Sequence, residues 1–307
     1  MIRNYRKAIA SLIGGLTMCL GTGAAYAEGW RDNFDKLVIS VIPSESDTTL
    51  IARFNTLTDY LQKQLGVPVT IRQATDYAGV IEAIRGETVQ FGRFGPASYA
   101  QAWRVTGGKV RPMIAEVDSE GNLGYYSVIA VRADSSYKTV EDLKGKRLAF
   151  ADPNSTSGYL APSFFLREQG IDPDTHFAET QFAGGHDQGI LAMINGTVDA
   201  MATGWTSDTA NNCTEMSERG LIEKGVCRFI WKSPRLPSSL WAAAGNVPED
   251  LEADFAAAMM KMKDSAPDAW ATFIAGNEFG GYVKASQADY EAIIRMIEEN
   301  QRQRRAK

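Results

Sequence analysis

Histidine is scarce in this chain, and its scarcity excludes much. His176 and His186 are the only two, and neither stands in a spacing that would ligate a metal. No metal and no cofactor is therefore expected. Catalytic and nucleotide-binding signatures are missing as well: there is no G-x-S-x-G, no Walker lysine loop and no G-x-G-x-x-G. Lys144-Gly145-Lys146 lacks the upstream glycine loop that would make it a phosphate-binding P-loop. No nucleophile stands beside an obvious base, so the chain reads as a binding protein and not an enzyme. A basic surplus is absent too. The net charge of −5 offers no field for a phosphate backbone and argues against a nucleic-acid partner. A small anion can still be held by an acidic protein, if a few N–H groups act locally.

Beyond residue 20 no run is long and apolar enough to span a membrane, which takes roughly 20 residues. The one apolar run before it, Ala8 to Leu20, follows Arg3, Arg6 and Lys7 and leads to Ala25-Tyr26-Ala27. A positive segment, a short apolar segment and a small-x-small site make a cleavable signal peptide over residues 1–27. The expected location is the periplasm. Cys19 follows Met18, where a lipobox wants a small residue, which argues against lipidation. Cleavage after Ala27 leaves Cys213 and Cys227 as the remaining cysteines. In an exported chain such a pair reads as one disulfide, with two free thiols as the alternative. Its loop of about 15 residues would stabilise by about 3 kcal/mol on the chain-entropy account.

The mature length, about 280 residues, suffices for two lobes of ordinary size. Strand and helix signals alternate. Leu37 to Ile42 is β-rich, and Leu50, Phe54, Leu57, Leu61 and Leu65 then recur at helical spacing up to Gly66. Val67 to Ile71, Tyr77 to Ile84, Val89 to Phe94 and Ala97 to Val105 continue the βαβα order of an α/β sheet. Tyr126 to Val131 leads out of this unit, and the pattern restarts. Strands are expected at 147–150, 179–182 and 198–202, with helices after Ser155 and from Asp187 to Ile194. The apolar stretches 228–231 and 240–244 are expected to carry the chain back to the first unit, where the remaining amphipathic helices pack. The fold class is α/β, with two lobes and a ligand cleft between them. The expected boundaries are 28–128 plus 237–307 for the first lobe and 129–236 for the second.

The strongest local signal is Asp152-Pro153-Asn154-Ser155-Thr156-Ser157-Gly158, between a strand and a helix. First-turn N–H groups lack intrahelical partners and carry the positive end of the dipole, which makes an anion site. A plain N-cap is the alternative, but one hydroxyl suffices for a cap and here there are three. Pro162 cannot donate to the Gly158 carbonyl, so a distorted second turn is expected. Tyr77 and His186 stand at other strand-to-helix junctions, where ligands of open α/β sheets gather. Core packing is the plain alternative for each. Tyr125 lies where the chain leaves the first unit. Arg93 is a charge inside an apolar strand, explained either by a partner carboxylate or by a ligand anion.

The segment 152–158 with Pro162 resembles the signature stretch of the phosphate/phosphite/phosphonate-binding proteins of ABC importers. Further segments are similar to that family in its order: Thr75-Asp76-Tyr77-Ala78-Gly79, Gly124-Tyr125-Tyr126-Ser127, Ala183-Gly184-Gly185-His186, Val198-Asp199-Ala200 and Ile230-Trp231-Lys232-Ser233-Pro234. The resemblance implies a type II periplasmic-binding-protein fold that closes on its ligand. It implies that Ser155, Thr156 and Ser157 hold a phosphorus oxyanion, with Tyr77, Tyr125 and His186 completing the shell. The implied ligand is a phosphonate, phosphite or phosphate. The implied partner is an ABC permease of the inner membrane, served by a monomer. Members that take 2-aminoethylphosphonate set two carboxylates against its ammonium. The matching positions here are Ser207 and Ser239, with Asp208 one residue from the first. Arg93 stands where an aromatic or neutral residue is expected. Other readings are a sensing subunit for a receptor kinase and, further off, a phosphonate hydrolase.

Overall fold

The computed structural model describes residues 29–43, 47–274 and 279–305. The expected signal peptide, residues 1–27, lies outside them. The first unit runs β1 (Leu37–Val41), α1 (Asp47–Leu65), β2 (Val69–Arg72), α2 (Tyr77–Arg85), β3 (Phe91–Phe94), α3 (Pro96–Val105) and β4 (Arg111–Asp118). The second runs β5 (Tyr126–Arg132), β6 (Arg147–Phe150), a π turn (Thr156–Leu160), α4 (Ala161–Glu168), α5 (Pro173–His176), β7 (Glu179–Phe182), α6 (His186–Ile194), β8 (Ala200–Trp205), α7 (Asn212–Glu218) and β9 (Cys227–Lys232). The chain then returns through β10 (Leu240–Ala243), α8 (Glu249–Ser265), α9 (Pro267–Phe273), β11 (Phe279–Lys284) and α10 (Glu291–Arg305).

Two sheets result, ordered β11-β4-β10-β3-β1-β2 and β7-β6-β8-β5-β9. In the first, β1 pairs in parallel with β2 and β3, while β10 lies antiparallel between β3 and β4. In the second, β6 is parallel to β7 and β8, and β5 is antiparallel to β8 and β9. The stretch 228–231 is therefore an edge strand of the second sheet, and only 240–244 rejoins the first. β5 already pairs in the second sheet at Tyr126, ahead of Val128. The two passages between sheets run side by side, because Tyr125 and Leu236 exchange backbone hydrogen bonds of 3.2 and 2.8 Å.

The central strands of the second sheet, β6, β8 and β5, bury both faces by alternation. Ile129, Val131, Leu148 and Phe150 fill one side, and Ala130, Ala149 and Met201 fill the other. The larger core belongs to the first lobe, where Phe91 stacks on Phe255 at 3.9 Å between ring centroids, and buried Trp241 donates to the Tyr282 hydroxyl. Leu160 of the second lobe packs with Ala97 and Ala100 of α3 and with Ile293 and Ile297 of α10. Cys213 and Cys227 form the expected disulfide, which ties α7 to β9.

Candidate functional site

Strand β6 ends in the segment 152–158. Asp152 Oδ1 accepts from Asn154 N–H at 2.7 Å and turns the chain, and Ser155 caps the ensuing turn by accepting from Gly158 N–H at 3.0 Å. That turn is a π turn: Leu160 N–H reaches the Ser155 carbonyl at 3.0 Å. Pro162 is the cause. It has no N–H for the Gly158 carbonyl, which accepts from Ala151 N–H instead, at 2.9 Å. The distortion expected from the sequence is present. Gly158 is required there, since a Cβ would lie 2.4 Å from Ala151 Cβ.

Thr156 Oγ1 accepts from Ala97 N–H at 2.8 Å. Ala97 lies in the first turn of α3, after Gly95 and Pro96, so helix N-termini from opposite lobes converge on one hydroxyl. A Cβ on Gly95 would press on Thr156 Oγ1 at 3.3 Å, so glycine permits the approach. This second terminus was not singled out in the sequence, although Gly-Pro after a strand carried the signal.

Tyr77 opens α2 behind the Asp76 cap, and its side chain faces Ser155 across the cleft. Burial raises its pKa strongly, so it stays a neutral hydrogen-bonding phenol. Tyr125, in the passage between lobes, has its pKa raised by desolvation, and it faces the Thr156 and Ser157 side chains in the cleft lining. His186 opens α6 after Gly185; its Nδ1 lies 2.9 Å from Thr203 Oγ1 and its Nε2 3.5 Å from Ser155 Oγ. Together these groups line a cleft of about 230 Å³ between the lobes.

Arg93 also lines the cleft. Its guanidinium is held in a two-point pair with Glu116, with Nε to Oε1 at 2.6 Å and Nη2 to Oε2 at 2.9 Å. The partner-carboxylate explanation of Arg93 therefore applies. Ser239 reaches the lining as well. Ser207 and Asp208 do not. The Ser207 hydroxyl accepts from Ala210 N–H at 2.9 Å and stabilises a turn, and Asp208 is exposed. Trp205 and Thr206 line the cleft in their stead, because β8 runs to Trp205 and not to residue 202. The Trp205 ring is braced from outside by the Lys232 ammonium, 3.3 Å from its centroid. Arg53, Glu116, Asn212 and Glu215 reach the lining without a sequence signal. Among the described residues no cluster of potential metal ligands occurs.

Two α/β lobes, two adjacent crossovers and a cleft whose polar end gathers helix N-termini and hydroxyls define a two-lobed solute receptor. Comparison with known proteins carries this further. Residues 39–290 match the family described as ABC transporter, phosphonate, periplasmic substrate-binding protein. The chain is 36% identical over 225 residues to the phosphate-import protein PhnD of Mycolicibacterium smegmatis, covering 71% of this chain and 68% of that one. It is 34% identical over 237 residues to the phosphonates-binding periplasmic protein of Escherichia coli, covering 75% and 67%. The PhnD1 structure from Prochlorococcus marinus with methylphosphonate shares the fold at a TM-score of 0.71 and 22% identity, covering 86% and 98%. The chain belongs to the phosphonate family of periplasmic substrate-binding proteins of ABC transporters. It is a transport receptor and not an enzyme.

Proposed function

We propose that this receptor is exported by cleavage after Ala27, acts as a monomer, and captures a small phosphorus oxyanion for an inner-membrane permease. Ser155, Thr156 and Ser157 hold the oxyanion with first-turn N–H groups, and Tyr77, Tyr125 and His186 close around it. The observation that carries this reading is the meeting of two helix N-termini, one from each lobe, at the Thr156 hydroxyl. An anion placed there is stabilised by both dipoles and also fastens the lobes to each other. Relatives are named for phosphate, for phosphonates and, in Prochlorococcus marinus, for phosphite, which gives the chemical range. With Arg93 already paired to Glu116, a phosphonate with a small neutral substituent, or phosphite, fits the cleft best.

A thermal-shift series tests the reading, using phosphate, phosphite, methylphosphonate, 2-aminoethylphosphonate and phosphonoacetate, with sulfate as control. A ligand at about 100 times its Kd adds about 2.7 kcal/mol of apparent stability. We expect methylphosphonate or phosphite to give the largest shift. No shift with any phosphorus oxyanion would overturn the proposal.

A further inference from the structure

The geometry around His186 determines which ring nitrogen bears its hydrogen. A backbone N–H can only donate, and Gly204 N–H lies 3.0 Å from one side-chain atom of Asn212, so that atom is the amide oxygen. Thr203 Oγ1 lies 2.9 Å from the same oxygen, which only accepts; the single hydroxyl proton of Thr203 is committed there. What Thr203 presents to His186 Nδ1, at 2.9 Å, is a lone pair, and Nδ1 carries the hydrogen. Nε2, the nitrogen facing Ser155 at 3.5 Å, then carries no hydrogen in the neutral ring and can act only as an acceptor. Ser155 has a single hydroxyl proton, and because its oxygen already accepts from Gly158 N–H, that proton is what it offers toward Nε2 or a solute. An oxyanion that takes the Ser155 proton sets a negative oxygen against the lone pair of the unprotonated Nε2.

We infer that Thr203 and Asn212 lock His186 in its Nδ1–H form, so that the cleft binds an oxyanion together with one proton shared between a ligand oxygen and Nε2. The inference rests on the placement of the oxyanion proposed above. A monoanion brings the proton as its own P–OH. A dianion takes one from solvent, and the ring becomes imidazolium. Both routes reach a complex of the same composition. Thr203 and Asn212 are thus positioning residues that set the protonation state of the bound solute. The lock is built into the core: Thr203 is fully buried, His186 nearly so, and the disulfide at Cys213 anchors the helix that supplies Asn212.

Among the described residues, the charged and titratable groups on the surrounding elements leave the inference intact. Asp187 is closed off by Arg219 at 2.9 and 3.0 Å. Asp152 accepts from Asn154 N–H, and burial raises its pKa. Tyr77 and Tyr125 are held neutral by burial. Glu215, on α7, shares the cleft lining with His186. Arg132 on β5 and Arg147 on β6 bind the Ile194 and Gly196 carbonyls, at the opposite end of α6.

Calorimetric titration with methylphosphonate in buffers of different ionisation enthalpy counts the protons. At about pH 9, above the ordinary histidine range, the wild type should take up close to one proton per ligand, with Kd rising about tenfold per pH unit. Thr203→Val removes the Nδ1 acceptor and permits the Nε2–H form, which donates to a dianion unaided. Its proton uptake should fall toward zero and its pH slope flatten, and His186→Gln should do the same with an amide donor. A residue of merely structural role would weaken binding equally at every pH. Wild-type binding without proton uptake overturns the inference and leaves the oxyanion reading standing, as does a full proton in both variants. Failure of methylphosphonate, phosphite and phosphate to bind at any pH overturns the oxyanion reading and the inference with it.

Discussion

Replacing Thr156 by alanine removes a hydroxyl that bridges the two lobes. Its oxygen accepts from Ala97 N–H at 2.8 Å, and its proton remains for the solute. A hydrogen bond to a charged group contributes about 1.5–3 kcal/mol, a loss of roughly 10- to 150-fold in affinity. Leaving Ala97 N–H without its acceptor adds to this, because a buried donor without a partner costs about 1–3 kcal/mol. That second cost falls on closure and so also appears as weaker binding. Thr156→Ser keeps the hydroxyl and should recover most of the affinity; Thr156→Val keeps the shape and should not. Titration calorimetry with the tightest phosphorus oxyanion measures all three, and the unliganded melting curve shows whether folding is intact. An alanine variant within twofold of wild type would refute the assignment of the oxyanion to this helix terminus.

Ligand should compact the protein, since the Thr156–Ala97 hydrogen bond bridges the lobes, and small-angle scattering with no fall in radius of gyration on saturation would contradict hinge closure about the paired segments at Tyr125 and Leu236. Cys213→Ser with Cys227→Ser should lower stability by about 3 kcal/mol on the loop-entropy account, read as a shifted urea midpoint; an unchanged midpoint would show that the bridge constrains little. Gly158→Ala forces a Cβ to 2.4 Å from Ala151 Cβ and should destabilise by about 1–3 kcal/mol while weakening ligand binding; wild-type melting would contradict the packing described for the π turn. Tyr77, Tyr99, Tyr282 and Tyr290 are buried with pKa values raised above the ordinary 10.0 by desolvation. The folded state therefore binds more protons than the unfolded state above that pH, and stability should fall as pH rises past 10.0; urea midpoints equal at about pH 9 and about pH 11 would contradict this.

What the sequence disclosed were features whose consequences are local. Ser155 as cap and Pro162 as a missing donor each act within a turn, so both the helix start and its distortion were legible. The disulfide followed from compartment and count. Contacts made by lobe docking were not legible. Gly95 and Thr156 lie far apart in the chain and meet only because α3 and the π turn face each other across the cleft. Arg93 and Glu116 sit on β3 and β4, which are not neighbours; β10, arriving more than a hundred residues later, lies between them. Ser207 and Asp208 were misplaced by the end of a strand. β8 extends to Trp205, which moves the following turn outward and leaves Trp205 and Thr206 at the cleft. Boundaries of this kind are set by pairing with β5, not by composition.

A crystal structure of the protein grown with methylphosphonate examines the central claim most directly. The phosphorus should lie at the start of the π turn, its oxygens within hydrogen-bonding distance of the Ser155, Thr156 and Ser157 hydroxyls, the first-turn N–H groups and His186 Nε2, with the lobes closed around it. Phosphorus density elsewhere in the cleft, or a closed cleft with the ligand outside it, would contradict the account.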